Sequence, residues 1–187
     1  MRRSFLLIFL VLVASTANAE VVENLDYEYY EAIAKPNQSL LASVNESSPV
    51  RHNGHTYHGY TKWNVQWRFF WNTEGSGRCR IASAKTTLTA TIQLPKLKGG
   101  TASQRKIFED YSAALKRHEW GHYEIGREAA ASIDRELLLL PAMEDCPGLE
   151  RQANALANQI LEQYRGKERA YDASTGYGKS QGAWLRH

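Results

Sequence analysis

Five consecutive residues carry the chemistry of this chain: His118, Glu119, Trp120, Gly121 and His122. Histidines four apart on a helix project from successive turns of one face, so both imidazoles can reach one metal ion, and the glutamate beside the first histidine points next to it. A zinc ion held this way lowers the pKa of a bound water, and the carboxylate can take its proton and pass it to a leaving amine. The spacing therefore predicts zinc, with His118 and His122 as ligands and Glu119 as the general base of a peptide-hydrolysing reaction. Two ordinary core histidines beside a solvated glutamate would satisfy the same spacing, so the flanking sequence has to decide.

Phe108, Tyr111, Leu115, His118, His122, Ile125, Ala129, Ile133 and Leu137 recur every three or four residues, the stripe of one long helix starting at Thr101 or Ser103 as N-cap. Both histidines fall inside the stripe and so on the face turned toward the protein. A second helix reads from about Gly148 to Tyr164, with Leu149, Ala153, Leu156 and Ile160 inward, and residues 165–187 read as a polar, glycine-bearing tail. Ahead of the helices, Trp63, Val65, Trp67, Phe69 and Trp71 alternate with Asn64, Gln66 and Arg68, and Leu88, Ala90, Ile92 and Leu94 alternate with Thr87, Thr89, Thr91 and Gln93. This period of two predicts two half-buried strands. Residues 72–77 have turn composition, giving an antiparallel hairpin, with Pro95 ending the second strand and Gly99-Gly100 opening a loop. Between Asp26 and Val44 the pattern is weak, an early strand turning helical. Strands first and helices after predict an α+β fold, an antiparallel sheet packed on the two helices in the zincin manner.

A catalytic zinc takes three protein ligands, and the third is open at this level. Glu128 lies on the continuing helix, which does not break to bring it round. Glu150 and Glu162 fall off the apolar face of the second helix. Asp172 and Tyr177 in the tail are alternatives, as are His52, His55 and His58 ahead of the first strand, where Asn53-Gly54 predicts a solvated turn. The tryptophans at strand spacing read as core rather than as a binding platform.

Arg2 and Arg3, the apolar run Phe5 to Ala14 and Ala17-Asn18-Ala19 form the three-part pattern of a signal peptide, residues 1–19, leaving 20–187 as one domain. The run is about half the roughly 20 residues that a membrane span needs, and nothing later is long and apolar enough to cross a bilayer. Without Arg2 and Arg3, two of the 23 basic residues, 21 remain against 20 acidic ones, so the domain is nearly neutral and has no basic stripe for nucleic acid. Cys79 and Cys146 are the only cysteines, and in an exported chain they predict a disulfide tying the sheet region to the helical region. A periplasmic or secreted location follows. Asn37-Gln38-Ser39 and Asn45-Glu46-Ser47 fit the glycosylation acceptor pattern, which has no consequence in a bacterium.

The segments 58–67 (HGYTKWNVQW) and Cys79-Arg80-Ile81, the His-Glu-Trp-Gly-His helix, Cys146 and the tail Tyr171-Asp172, Thr175, Tyr177-Gly178 and Gln181-Gly182-Ala183 resemble a bacterial family described as predicted secreted zinc-dependent proteases. The resemblance covers nearly the whole mature chain. It implies His118 and His122 as zinc ligands and Glu119 as the catalytic carboxylate, and speaks to fold and metal more than to substrate. In the family pattern the tail reads Tyr-Asp-x-x-Thr-x-His-Gly, whereas here Tyr177 stands in the place of that histidine. A tyrosine there can bind zinc through its phenolate or stabilise an oxyanion by donating a hydrogen bond, which makes Tyr177 a candidate catalytic residue.

Two functions are compatible with these residues. One is an exported zinc peptidase acting on a peptide or protein laid along an edge strand. The other is a non-catalytic, metal-stabilised envelope binding module that keeps the helix motif but lacks a full ligand set. Glu119 favours the enzyme, because a purely structural site has no use for a base there.

Overall fold

The computed structural model describes residues 19–35, 37–52 and 54–186, with side chains from residue 21 onward. The signal-peptide segment, apart from Ala19, lies outside the described residues. Strand β1 spans Ala19–Ala34 and helix α1 Leu40–Ser47. A small two-stranded ribbon follows, β2 at Arg51–His52 and β3 at His55–Thr56. Strands β4 (Tyr60–Thr73) and β5 (Cys79–Gly99) lead into α2 (Ala102–Leu138) and α3 (Cys146–Thr175), and a 3₁₀ turn closes the chain at Lys179–Gln181.

The hairpin forms as the alternation predicts, with β4 antiparallel to β5 from Tyr60 opposite Gln93 to Thr73 opposite Cys79. A register shift between Phe70 and Trp71 interrupts it. The extra residue is Ala82 of β5, so the alternation of β4 runs on: Trp71 stands opposite the buried Ile81 with its ring 5.9 Å from that of Phe69. Near the end of the strand Trp71 is 38% exposed, while Trp63, Trp67 and Phe69 pack on the core as expected.

Two expectations about the sheet are corrected. The sheet is mixed rather than antiparallel, in the order β1-β5-β4, because β1 pairs in parallel with β5 along its whole length, Ala19 opposite Ala84 to Ala34 opposite Gly99. Pro95 does not end β5. Pairing with β4 finishes at Gln93, so beyond it β5 has a ladder neighbour on one side only and tolerates a residue lacking an N–H.

Helix α2 starts at the Thr101 cap, where Thr101 Oγ1 accepts from the Gln104 amide and the Gln104 side chain accepts from the Thr101 amide. This reciprocal pair satisfies two donors that the first turn would otherwise leave free. Its predicted stripe packs against β5 and β4, burying Phe108, Leu115, Ala129, Ile133 and Leu137. Gly126 sets how closely the helix approaches: a Cβ there would lie 2.8 Å from the Trp63 ring of β4.

Helix α3 packs on α2 and is almost twice the predicted length. Asp145 caps it, Pro147 sits in its first turn, and it runs through Gly166 to Thr175, where Gly176 takes the left-handed conformation (φ 56°, ψ 46°) that ends helices. The stretch read as a tail from Arg165 is helical up to that glycine. Its polarity reflects what its inner face meets there, polar groups of α2 rather than apolar core. The predicted Cys79–Cys146 disulfide forms, joining the start of β5 to the start of α3. Among the described residues no helix is long and apolar enough to cross a membrane.

Candidate metal centre

His118 and His122 are both buried, as their place in the α2 stripe requires, and they turn toward the last turns of α3. There Asp172 Oδ1 stands 3.1 Å from His122 Nε2 and 3.4 Å from His118 Nε2. One ligand atom from each of the three residues lies within 4.8 Å of the others. A tetrahedral ion with bonds of about 2.0–2.1 Å holds its donors about 3.3 Å apart, close to both nitrogen–oxygen separations.

The other imidazole nitrogens fix the protonation pattern. His118 Nδ1 donates to the Gln181 carboxamide oxygen at 3.0 Å, and His122 Nδ1 donates to Glu168 Oε1 at 3.1 Å. With both Nδ1 atoms donating, both Nε2 lone pairs face a carboxylate oxygen. Three acceptors converging there, two of them on buried imidazoles, call for a positive charge among them, from a metal ion or a proton. Without a metal the charge goes to His122: burial disfavours its cation, but hydrogen bonds to Asp172 and Glu168 outweigh this and push its pKa up to about 10. The Asp172 carboxyl is held far below the usual range, its burial overcome by hydrogen bonds from the two histidines. A buried pair of imidazoles and one carboxylate, each imidazole steered from behind by an acceptor, is a donor set suited to a divalent transition metal.

Tyr171 completes the support. Its ring stacks on His118 with centroids 5.1 Å apart, and its hydroxyl donates to the His118 carbonyl at 3.2 Å and accepts from the Gln181 side-chain nitrogen at 3.1 Å. Gly121 makes this approach possible, since a Cβ there would lie 2.2 Å from the Tyr171 hydroxyl. Gly178, left-handed at φ 80°, does the same on the other side, where a Cβ would press on the His118 ring at 2.9 Å.

Glu119 points a different way. One residue further round the helix, it faces the start of β4, where the Thr61 hydroxyl donates to Oε2 at 2.7 Å and lies 2.9 Å from the Glu119 carbonyl. Burial raises its pKa above the ordinary carboxylate range, against the Thr61 hydrogen bond and the attraction of His122 and His118. The three donors and Glu119 line one open cleft of about 830 Å³ that also reaches the β2–β3 ribbon and β4.

A family profile described as "Bacterial protein of unknown function (DUF922)" matches residues 27–179. The chain belongs to this family. The match runs from β1 to the 3₁₀ turn and takes in every donor of the centre, so the centre belongs to the DUF922 domain and not to an appended segment. The DUF922 description names no activity, so zinc and peptide hydrolysis are not read from it. No curated protein and no solved structure matches the chain.

Of the third-ligand candidates, this DUF922 chain brings only Asp172 to the two histidines. His58 lines the cleft, but both its nitrogens are used: Nδ1 accepts from the Tyr111 hydroxyl at 2.6 Å and Nε2 donates to Asn45 Oδ1 at 2.7 Å. Glu162 is an exposed partner of Arg165, Glu128 pairs with Lys167, and Glu150 is exposed. Tyr177 is 59% exposed at the cleft, in the left-handed conformation (φ 55°), with its ring 5.8 Å from Tyr57. His52 and His55 are exposed on either side of the turn at Gly54 (φ 77°), the solvated turn anticipated. Glu168 carried no signal in the sequence, being an ordinary helical glutamate. Thr61, Tyr171 and Gln181 stood within the quoted segments, without roles.

Proposed function

We propose that the protein is an exported zinc-dependent peptidase, with His118, His122 and Asp172 holding the ion and Glu119 as the general base. The observation that carries this reading is the convergence of two imidazole Nε2 atoms and one carboxylate oxygen beside a buried glutamate in an open cleft. Zinc bound there would act as a Lewis acid on a peptide carbonyl and make water at the site easier to deprotonate. The chain's own residues do the rest. Thr61 holds the Glu119 carboxylate in place, and burial keeps its affinity for a proton high, which suits a group that must take one from water and give it to the leaving amine. Gln181 and Glu168 lock the two imidazoles in the tautomer that ligation needs. Tyr177, exposed on the same cleft, has a phenol able to donate to a developing oxyanion. The disulfide supports an exported location, since such bonds persist in oxidising compartments.

The binding-module alternative assumes an incomplete ligand set, and the place of Asp172 beside both imidazoles speaks for the enzyme. The test measures zinc by elemental analysis and hydrolysis of a broad peptide library by the purified mature chain. One zinc per chain and turnover are expected, with Glu119→Gln keeping the metal and losing at least about 100-fold in rate. A chain that stays zinc-free under metal-replete conditions would remove this reading. Zinc without turnover of any peptide would leave the module.

A further inference from the structure

The cleft carries a charge pattern that hydrolysis alone does not need. Among the described residues, each carboxylate lining it is already engaged: Glu119 by Thr61, Glu168 by His122, and Asp172 by both histidines. The other permanently charged side chains among the described residues that line it are two arginines, Arg51 from β2 and Arg169 from α3. Arg51 donates only to neutral acceptors, Thr56 Oγ1 and the Asn45 carbonyl, both at 3.1 Å. Arg169 is exposed, one helical turn before Asp172, and among the described residues its guanidinium has no hydrogen bond or ion pair. Its helix neighbours Arg165 and Lys167 each hold a carboxylate, so an unpaired cation is not the rule on this surface. A guanidinium offers planar, bidentate recognition of carboxylates, and one left free beside a reactive centre is suited to an anion arriving with the ligand.

We propose that the cleft selects acidic peptides, with Arg169, assisted by Arg51, receiving a peptide carboxylate while the chain lies over the His118–His122–Asp172 centre; the inference rests on the peptidase reading and names its substrate class. The carboxylate comes from an Asp or Glu side chain or from a free C-terminus. A basic peptide would meet two guanidinium groups and the charge of the ion, with no free carboxylate to offset them.

The experiment uses the zinc-loaded mature chain carrying Glu119→Gln, so that binding is read without turnover, and fluorescent peptides differing only in one Glu or Lys, each with a free or amidated C-terminus. Anisotropy titration is expected to show the Glu peptide binding about five- to ten-fold more tightly than the Lys peptide. The preference should vanish in Arg169→Gln and invert in Arg169→Glu, at unchanged zinc content and unchanged circular dichroism. A preference that follows the free C-terminus instead of the side chain assigns Arg169 to the terminal carboxylate. Equal binding of all four peptides, or a preference untouched by both Arg169 variants, overturns the proposal. An Arg169-dependent preference for acid, with no peptide cleaved by the chain retaining Glu119, supports the arginine assignment and overturns the peptidase reading.

Discussion

Gly59 and His58 stand next to each other at the cleft and act in different ways. A Cβ on Gly59 would lie 2.5 Å from Glu119 Oε1, so Gly59→Ala must push the carboxylate out of its place under β4. The three atoms nearest such a Cβ all belong to Glu119, none to His118, His122 or Asp172. Zinc content is therefore expected to stay while peptide hydrolysis falls at least about ten-fold, since a misplaced base loses much of its effect. His58, clasped by Tyr111 and Asn45, is kept neutral: burial lowers its pKa to about 4. The unfolded chain, with a value near 6.5, takes up this proton first as the pH falls. Stability from His58 is thus complete above about pH 6.5 and is lost toward pH 4, by up to about 3 kcal/mol. Urea unfolding of the metal-free protein at pH 7 and pH 5 should show that loss, and His58→Gln should flatten it. The raised value of His122 acts in another window, its contribution being present below about 6.5 and lost as the pH rises toward 10.

At the scale of elements, the second half of α3 decides whether there is a centre at all. Glu168 and Asp172 are one turn apart on its inner face, and the helix must persist past Gly166 to present them. Competition with a chelator should show Glu168→Gln weakening zinc about 10- to 100-fold, because the imidazole of His122 loses its charged anchor. Asp172→Asn should weaken it further, and Glu162→Ala should leave it unchanged, that residue being exposed and paired only with Arg165. Helix α2 was legible from its apolar stripe and Thr101 cap. The end of α3 was not, because a segment whose inner face meets histidines instead of leucines shows no apolar periodicity, so the polar, glycine-bearing stretch from Arg165 onward read as a tail. For the same reason Asp172 stayed one of several candidate ligands.

The whole molecule is tied together by the long parallel pairing of β1 with β5 and by the Cys79–Cys146 disulfide, whose partners are 67 residues apart. Replacing both cysteines by serine should cost about 2–4 kcal/mol in urea unfolding, chiefly by freeing the unfolded chain. Zinc affinity should hardly change, since Cys146 opens α3 and Asp172 lies in its last turn, roughly 39 Å further along at about 1.5 Å per residue. A large drop in zinc affinity would mean that the two ends of α3 are coupled through the fold.

The sequence by itself determined the two histidines and the glutamate, the helix that carries them, the β4–β5 hairpin and the cysteine pairing. Each rests on local periodicity, capping or a small number of possible partners. Only the tertiary structure decided that β1 joins in parallel, that Asp172 faces both Nε2 atoms, that Gln181 and Glu168 orient the rings, and that Thr61 and Gly59 hold Glu119. Those relations join residues as many as 65 positions apart, from Ala19 and Ala84 in the sheet to Thr61 and Glu119 in the site. Pairings of that range depend on how whole elements pack, and nearest-neighbour patterns in a chain do not encode them.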